Sequence, residues 1–139
     1  MVRQLSVFLP NKPGILAIFT ELLGKNSINI RALTVADTAD YGILRIIVDD
    51  PTKCLNVLKE ANYLVSETEV IAVEVEDKPG ALHQIAKLMG DNGINIEYIY
   101  STLKAGAAVI LIRVNKPEKA LELLKKESFK VLGDEIYKI

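Results

Sequence analysis

The chain has 139 residues, of which 50% are hydrophobic and 25% are charged, and its formal net charge is −1. This composition is typical of a globular protein, and the interspersed charges argue against a basic surface for nucleic acid or anionic membrane. The single cysteine, Cys54, excludes an intrachain disulfide and a cysteine-cluster metal site. Because no apolar run reaches the ~18 residues of a membrane span and the first residues do not resemble a signal peptide, we expect a cytoplasmic protein.

One segment of the sequence occurs twice. Residues 11–30 and 77–96 align without a gap and share ten identities at an offset of 66 positions. Both segments carry Lys-Pro-Gly followed two residues later by leucine, and both end in Ile-Asn-Ile. The chain is therefore predicted to be one unit copied end to end. We place the two domains at residues 1–67 and 68–139.

Periodicity predicts the elements of each copy. Apolar and polar residues alternate from Gln4 to Leu9, which indicates a strand, and apolar residues then recur at helical spacing from Leu16 until Gly24. We place Pro13 at the first helical position. The rest of the first copy is predicted as strand 28–35, loop 38–40, strand 41–48, a helix capped by Asp50 and strand 63–66. The second copy is predicted as strand 70–76, helix 80–89, strand 94–101, strand 107–114, helix 118–126 and strand 129–132.

Each copy is thus a βαββαβ unit. This order predicts an α+β fold of two ferredoxin-like modules, each an antiparallel sheet with both helices on one face. No linker separates the copies, so the fourth strand is expected to run nearly continuously into the next first strand. The tail 135–139 aligns with 69–73 and is predicted to be extended.

The two faces of the third strands differ in their expected environment. We assign one alternating set to the helix side, namely Leu44, Ile46 and Val48 with their counterparts Ile110, Ile112 and Val114. The other set is Ile43, Arg45, Ile47, Val109, Leu111 and Arg113. A solvated sheet face is mostly polar, whereas this one is largely apolar. We therefore expect a homodimer that packs through the helix-free sheet faces.

The repeated turn has the chemistry of a small ligand site. A proline and glycine at the start of each helix leave backbone N–H groups without intrahelical acceptors, and such a helix end attracts a carboxylate. Gly14 and Gly80 lack a Cβ atom, so a ligand can approach the backbone closely. Asn11 and Asp77, just before the turn, supply oxygen acceptors for an ammonium group. Together these features favour a free amino acid, although the same four residues also form an ordinary turn and helix start.

Strand, Asn/Asp-Lys-Pro-Gly-x-Leu, amphipathic helix and Asn-x-x-Asn-Ile resemble the ACT domain, a regulatory module of amino-acid metabolism. The resemblance covers essentially the whole chain as two tandem copies. It implies that modules pair side by side and bind amino acids at the seam between them. The implied first-copy ligand residues are Asn11, Pro13, Gly14, Ile15, Leu16 and Asn29. The implied second-copy residues are Asp77, Pro79, Gly80, Ala81, Leu82 and Asn95, and both Asn29 and Asn95 are expected to reach the seam from the facing module.

The resemblance implies a stand-alone regulatory protein that binds a small free amino acid and has no catalytic activity, cofactor or metal. Because Asp77 is ionised at neutral pH and Asn11 is not, the ammonium pocket of the second copy is expected to be the stronger one.

Four other functions remain open. A regulatory subunit resembling the acetolactate synthase small subunit would carry the same ligand site and bind a catalytic partner. A pair of modules that only oligomerises would bind no ligand. An enzyme on this fold, resembling an acylphosphatase, would need a catalytic arginine in the loop where Lys12 and Lys78 stand. A nucleic-acid-binding sheet would need stacking aromatic residues on its central strands and positive charge, whereas the third strands carry only Tyr41, at one edge, as an aromatic residue.

Overall fold

The computed structural model describes residues 1–38 and 40–139. The chain divides into two compact units, whose main segments are Arg3–Thr68 and Glu69–Tyr137 and which we call the first and the second unit. Ala39, in the middle of the predicted loop, lies outside the described residues.

The elements follow the predicted βαββαβ order, and the predicted fold class is confirmed. The chain first forms β1 (Val2–Pro10), α1 (Ile15–Lys25), β2 (Ile30–Asp37), β3 (Tyr41–Val48), α2 (Pro51–Glu60) and β4 (Val65–Glu76). It continues with α3 (Ala81–Asp91), β5 (Ile96–Lys104), β6 (Ala107–Val114), α4 (Pro117–Lys126), β7 (Lys130–Leu132) and a 3₁₀ helix (Asp134–Lys138). The predicted continuity is confirmed too, because β4 crosses from the first unit into the second without a break.

The strand order is the same in both units. In the first unit β3 lies between β1 and β2 and is antiparallel to both. The N–H of Phe8 in β1 donates to the carbonyl of Leu64, so β4 begins beside β1. In the second unit β6 lies between β4 and β5, and β7 pairs with β4 on its other edge. Each sheet therefore has its third strand in the middle and its second strand at one edge, as the split-βαβ plan requires.

Each unit has an apolar core between its helices and one face of its sheet. The first core contains the buried residues Phe19, Leu23, Cys54 and Leu58 of the helices and Leu44, Ile46 and Val48 of β3. The second contains Ile85, Met89, Ala120 and Leu124 of the helices and Ile110, Ile112 and Val114 of β6. The prediction that these residues of the third strands face the helices is confirmed.

The opposite face of the third strands is largely buried. Ile47, Val109 and Leu111 have no exposed area, and Ile43, Arg45 and Arg113 are half-buried. The homodimer packed through the helix-free sheet faces stays a prediction.

The starts of the helices confirm one prediction and correct another. Asp50 caps α2, because its Oδ1 atom accepts the Lys53 N–H at 3.1 Å, and Pro51 is the first helical residue as predicted. Pro13 and Pro79, in contrast, are not the first residues of their helices. The helices begin at Ile15 and Ala81, each after a glycine in the left-handed conformation. The glycine reverses the chain between the proline and the helix, so the proline belongs to the turn.

The tail is the second correction. Residues 135–139 were predicted to be extended, but Asp134–Lys138 forms a 3₁₀ helix that begins with a hydrogen bond from the Ile136 N–H to the Gly133 carbonyl (3.2 Å). The 3₁₀ helix places residues three apart on one side. Ile136 is fully buried and Ile139 is half-buried, whereas an extended chain would have paired Ile136 with the exposed Lys138. Burial of the two isoleucines therefore favours the helix.

Candidate functional site: a cavity beside the Pro-Gly turn

The backbone of the Pro-Gly turn is the same in both units. Gly14 has φ 86° and Gly80 has φ 87°, a left-handed conformation that glycine adopts without a steric penalty. Among the described residues, no side chain caps α1 or α3. The N–H groups of Ile15 and Ala81 donate to the carbonyls of Lys12 and Lys78, both at 3.4 Å. The remaining first-turn N–H groups of these helices are open to an acceptor from outside the helix.

Asn11 is positioned by the segment that precedes β3. Its backbone N–H donates to the Asp40 carbonyl at 3.1 Å, and its side-chain Nδ2 donates to the Thr38 carbonyl at 3.4 Å. With the amide nitrogen directed to Thr38, the Oδ1 atom can accept a hydrogen bond from a ligand. The role of Asn11 as an acceptor for a ligand ammonium group stays a prediction.

A cavity of about 180 Å³ lies beside this turn in the first unit. Ligand pockets for drug-sized molecules measure roughly 300–1,000 Å³, so this one suits a smaller ligand. The lining residues are Leu9, Pro10, Asn11, Lys12, Ile15, Leu16, Val35, Asp37 and Gly42. Three predicted site residues, Asn11, Ile15 and Leu16, are thus brought together. Pro13 and Gly14 shape the turn without lining the cavity.

Asn29 does not line this cavity either. It precedes β2, its side chain is exposed, and its backbone binds Asp49. Asn95 is likewise exposed, and its backbone binds Asn115 in the same way. The Ile-Asn-Ile motif therefore has a clear structural role in both units, and any contact of its side chain with a ligand stays a prediction.

Six residues of the cavity lining were missed by the sequence analysis, and three of them, Val35, Asp37 and Gly42, lie on β2 and β3. Asp37 is the last residue of β2, and Gly42 lies directly opposite it on β3. Val35, two residues before Asp37, lines the same cavity because alternate strand residues share a face. The signal that could have revealed Asp37 was this alternation, since it puts an acidic residue on the helix side of an edge strand.

The second unit has the same turn with different surroundings. Asp77, Gly80 and Leu82 are exposed and Ala81 is buried. The repeat offset places Leu103 at the position of Asp37 and Ala108 at the position of Gly42. A cavity of about 320 Å³ contacts this turn at Lys78 and Ala81. It extends toward β7, however, and its lining does not include Asp77.

The cavity of the second unit has a charged wall. Hydrogen bonds from Lys104 and from Lys130 lower the pKa of Glu74 below its ordinary value. The Nζ atom of Lys130 lies 2.8 Å from Oε2 of Glu74, and Lys104 contacts Oε1. With two cations on one carboxylate, Glu74 is already neutralised, so it is a poor partner for an additional ammonium group.

Across residues 1–38 and 40–139, no group of three or more His, Cys, Asp and Glu side chains could hold a metal ion. No helix in that part of the chain has both the length and the apolar character needed to span a membrane.

Two βαββαβ modules in tandem, each with a Pro-Gly turn at its first helix, define a class of paired ferredoxin-like modules. A model of the ACT domain pair matches residues 1–138, and the chain belongs to that family. Protein BT0572 from Bacteroides thetaiotaomicron is similar in structure, with a TM-score of 0.93 and 39% identity over 99% of this chain and 96% of that one.

The regulatory subunit of aspartate kinase shares the fold at lower identity. The Thermus thermophilus subunit, in its ligand-free form, has a TM-score of 0.66 and 18% identity over 91% of this chain and 92% of that one. The Thermus flavus subunit has a TM-score of 0.64 and 16% identity over 89% and 90% of the two chains. The comparison with curated proteins found no match.

Proposed function

We propose that this chain is a non-catalytic, cytoplasmic regulatory protein that binds a small free amino acid beside the Pro-Gly turn of its ACT modules. The observation that carries the proposal is the cavity of about 180 Å³ in the first unit, where Asn11, Ile15 and Leu16 meet. The corresponding residues Asp77, Gly80, Ala81 and Leu82 form the proposed second site.

The cavity is complementary to a zwitterion. Lys12 and the open N–H groups at the start of α1 supply positive charge and donors for a carboxylate. The carboxylate of Asp37 and Oδ1 of Asn11 supply acceptors for an ammonium group. An α-amino acid carries both groups on one carbon atom, so a small cavity with both kinds of partner fits this ligand class.

The rim of the cavity carries exposed apolar residues that a module of a second copy could cover. Leu16 is 44% exposed and Val35 is 49% exposed, and Leu33 lies on the same face of the edge strand β2. Apolar residues on an edge strand favour a partner that covers them. We propose a homodimer along this edge, with Asn29 reaching the site from the facing copy.

Regulation of a catalytic partner is the second part of the proposal. Structural neighbours are regulatory subunits of aspartate kinase, and the fold is shared with them. For this chain we propose that ligand occupancy controls an enzyme of amino-acid metabolism, either as a separate sensor or as a bound subunit. Co-purification of a catalytic chain from the native host would favour the second form.

A thermal-shift screen against the twenty free amino acids at millimolar concentration tests the ligand. A ligand present at one hundred times its Kd adds ~2.7 kcal/mol to the stability of the folded state, so a rise in Tm is expected with one amino acid or a few related ones. Asn11→Ala and Asp77→Ala should each diminish the rise at its own site. Asn56→Ala, an exposed position on α2, serves as the matched control. An unchanged Tm with all twenty amino acids would overturn the proposal.

Light scattering at micromolar concentration tests the dimer. The wild-type chain is expected to be dimeric, and Leu33→Glu should give a monomer because it buries a charge at the proposed edge. Leu64→Glu, another exposed apolar position outside that edge, is the control and should remain dimeric. A monomeric wild-type chain would contradict the proposed dimer and leave the ligand site untouched.

A further inference from the structure

We propose that Asp37 and Gly42 make the first unit the selective amino-acid site of the chain. Asp37 binds the ammonium group of the ligand. The space left by the missing side chain of Gly42 limits the size of the ligand side chain that can bind. The preferred class is an α-amino acid with a small apolar side chain. This inference rests on the proposed function and adds which site dominates and what determines its specificity.

Gly42 is a glycine that its local backbone does not require. Its φ lies outside the left-handed region, so other residues can adopt its conformation. A Cβ atom added here would lie 3.5 Å from Cγ1 of Val35 and 3.9 Å from the Leu9 carbonyl oxygen, which are ordinary contacts. Glycine weakens a strand interior and often marks a place that a ligand approaches closely. Since Gly42, Val35 and Leu9 all line the cavity, the missing Cβ atom leaves that space to the cavity.

Asp37 contributes charge at the same place. It pairs in register with Gly42, and Gly42 pairs with Leu9 on its other side, so the three residues form a row across the sheet. Asn11 and Lys12 complete the polar part of the lining. Hydrogen bonds between an ionised carboxylate and an ammonium group are stronger than those from a neutral amide, so Asp37 outweighs Asn11 as the ammonium partner.

The second unit has neither feature. Leu103 replaces Asp37 and is 69% exposed, and Ala108 replaces Gly42 with a methyl group. Its carboxylate is on the turn, at Asp77, rather than on the strand. The expectation from sequence that Asp77 makes the second site stronger therefore leaves out the carboxylate that the first unit carries on β2.

The apolar part of the lining selects the side chain. The apolar lining residues are Leu9, Ile15, Leu16 and Val35, which lie beside the polar residues Asn11, Lys12 and Asp37. At about 180 Å³ the cavity is small. Burial of apolar surface favours an aliphatic side chain over a polar one, and the available volume excludes a large one. A methyl group added by Gly42→Ala should therefore weaken the binding of amino acids with branched side chains more than that of glycine or alanine.

Isothermal titration of the full chain with glycine, alanine, valine and phenylalanine tests the inference. The wild-type chain is expected to bind valine or alanine more tightly than phenylalanine. Asp37→Asn should weaken binding of every ligand about tenfold or more, because a charged hydrogen bond is lost. Gly42→Ala should weaken valine more than glycine. Ala108→Gly, at the second-unit counterpart of Gly42, should leave the tight site unchanged. Asp77→Asn, at the second-unit counterpart of Asn11, should affect only the weaker site.

The outcomes separate this inference from the proposed function. Binding that persists in Asp37→Asn but is lost in Asp77→Asn would overturn the inference and leave the function standing. An equal loss for all ligands in Gly42→Ala would overturn the size-selecting role. No heat with any amino acid in the wild-type chain would overturn both. Circular dichroism checks that Gly42→Ala folds, which we expect because alanine stands at the matching position 108. If Gly42→Ala does not fold, the titration of Asp37→Asn decides whether the inference holds.

Discussion

Asn29 and Asp49 exchange two hydrogen bonds at the start of β2. The N–H of Asn29 donates to Oδ1 of Asp49 at 3.0 Å, and the N–H of Asp49 donates to the carbonyl of Asn29 at 3.0 Å. Asn95 and Asn115 repeat the pair in the second unit, at 3.0 Å and 3.2 Å. Both pairs use only the backbone of the first residue but the backbone N–H and the side-chain oxygen of the second, so the second residue must carry an oxygen acceptor.

Substitutions at Asp49 should therefore depend on the acceptor and not on the charge. Asp49→Asn is expected to leave the free energy of unfolding nearly unchanged, because asparagine makes the same bond at position 115. Asp49→Ala should lower it by about 1 kcal/mol, the usual net value of one hydrogen bond. Urea unfolding measures both. Equal destabilisation by the two variants would show that the charge matters instead.

A second prediction concerns the start of α4. Lys116 precedes α4 with φ −133° and ψ 72°, close to the φ −138° and ψ 88° of Asp50 before α2, yet it makes no side-chain cap within the described residues. Lys116→Asp should raise the free energy of unfolding by about 1 kcal/mol, because it adds a capping acceptor and favourable charge at a helix start. Asp50→Ala should lower it by a similar amount. A cap at 116 that leaves the urea midpoint unchanged would contradict the prediction.

The third prediction is a dependence of stability on pH at Glu74. Hydrogen bonds from Lys104 and from Lys130 lower its folded-state pKa, so its contribution to stability is full above the unfolded pKa of about 4.3 and is lost as the pH falls through the lower, folded value. The difference in Tm between the wild-type chain and Glu74→Gln should thus be larger at pH 7 than at pH 3. Glu127→Gln, a second glutamate at the same cavity, is the control. A difference independent of pH would rule out the ion-pair explanation.

The fourth prediction concerns the thiol of Cys54. Burial raises its pKa to about 12, and the charges of Asp49 and Asp50 add to the effect. Because the thiolate is the reactive form, the native protein should not react with a disulfide reagent at pH 8, whereas the protein in denaturant should react fully. Absorbance of the released thiol measures both rates. Rapid reaction of the native chain would mean that the first core opens readily.

The features that could be predicted from the sequence have local signals. Alternation placed Leu44, Ile46 and Val48 on the helix side of β3, and Asp50 followed by proline marked the start of α2. The repeat then carried each assignment from one copy to the other. The turn was predicted less well, because the pattern shows a glycine but not its left-handed φ, and that conformation moves the helix start from Pro13 to Ile15.

The features that could not be predicted depend on contacts between distant residues. Asp37 joins the candidate site only because the pairing of β2 with β3 sets it opposite Gly42. Ile47 and Leu111 are apolar whether they are covered by their own chain or by another, so the sequence pattern alone could not distinguish the two cases. The 3₁₀ helix at the tail depends on the burial of Ile136. The alignment of residues 135–139 with 69–73 carries no information about that burial.

The strand that passes from one unit to the other has a consequence for how the protein is degraded. Proteases usually separate domains at exposed, flexible linkers. Here the boundary at Thr68 and Glu69 lies inside β4, whose backbone is held in a sheet. A protease therefore finds no flexible linker at this boundary at which to release one intact module. We expect limited proteolysis to leave the chain whole until it unfolds, so that both units are degraded together.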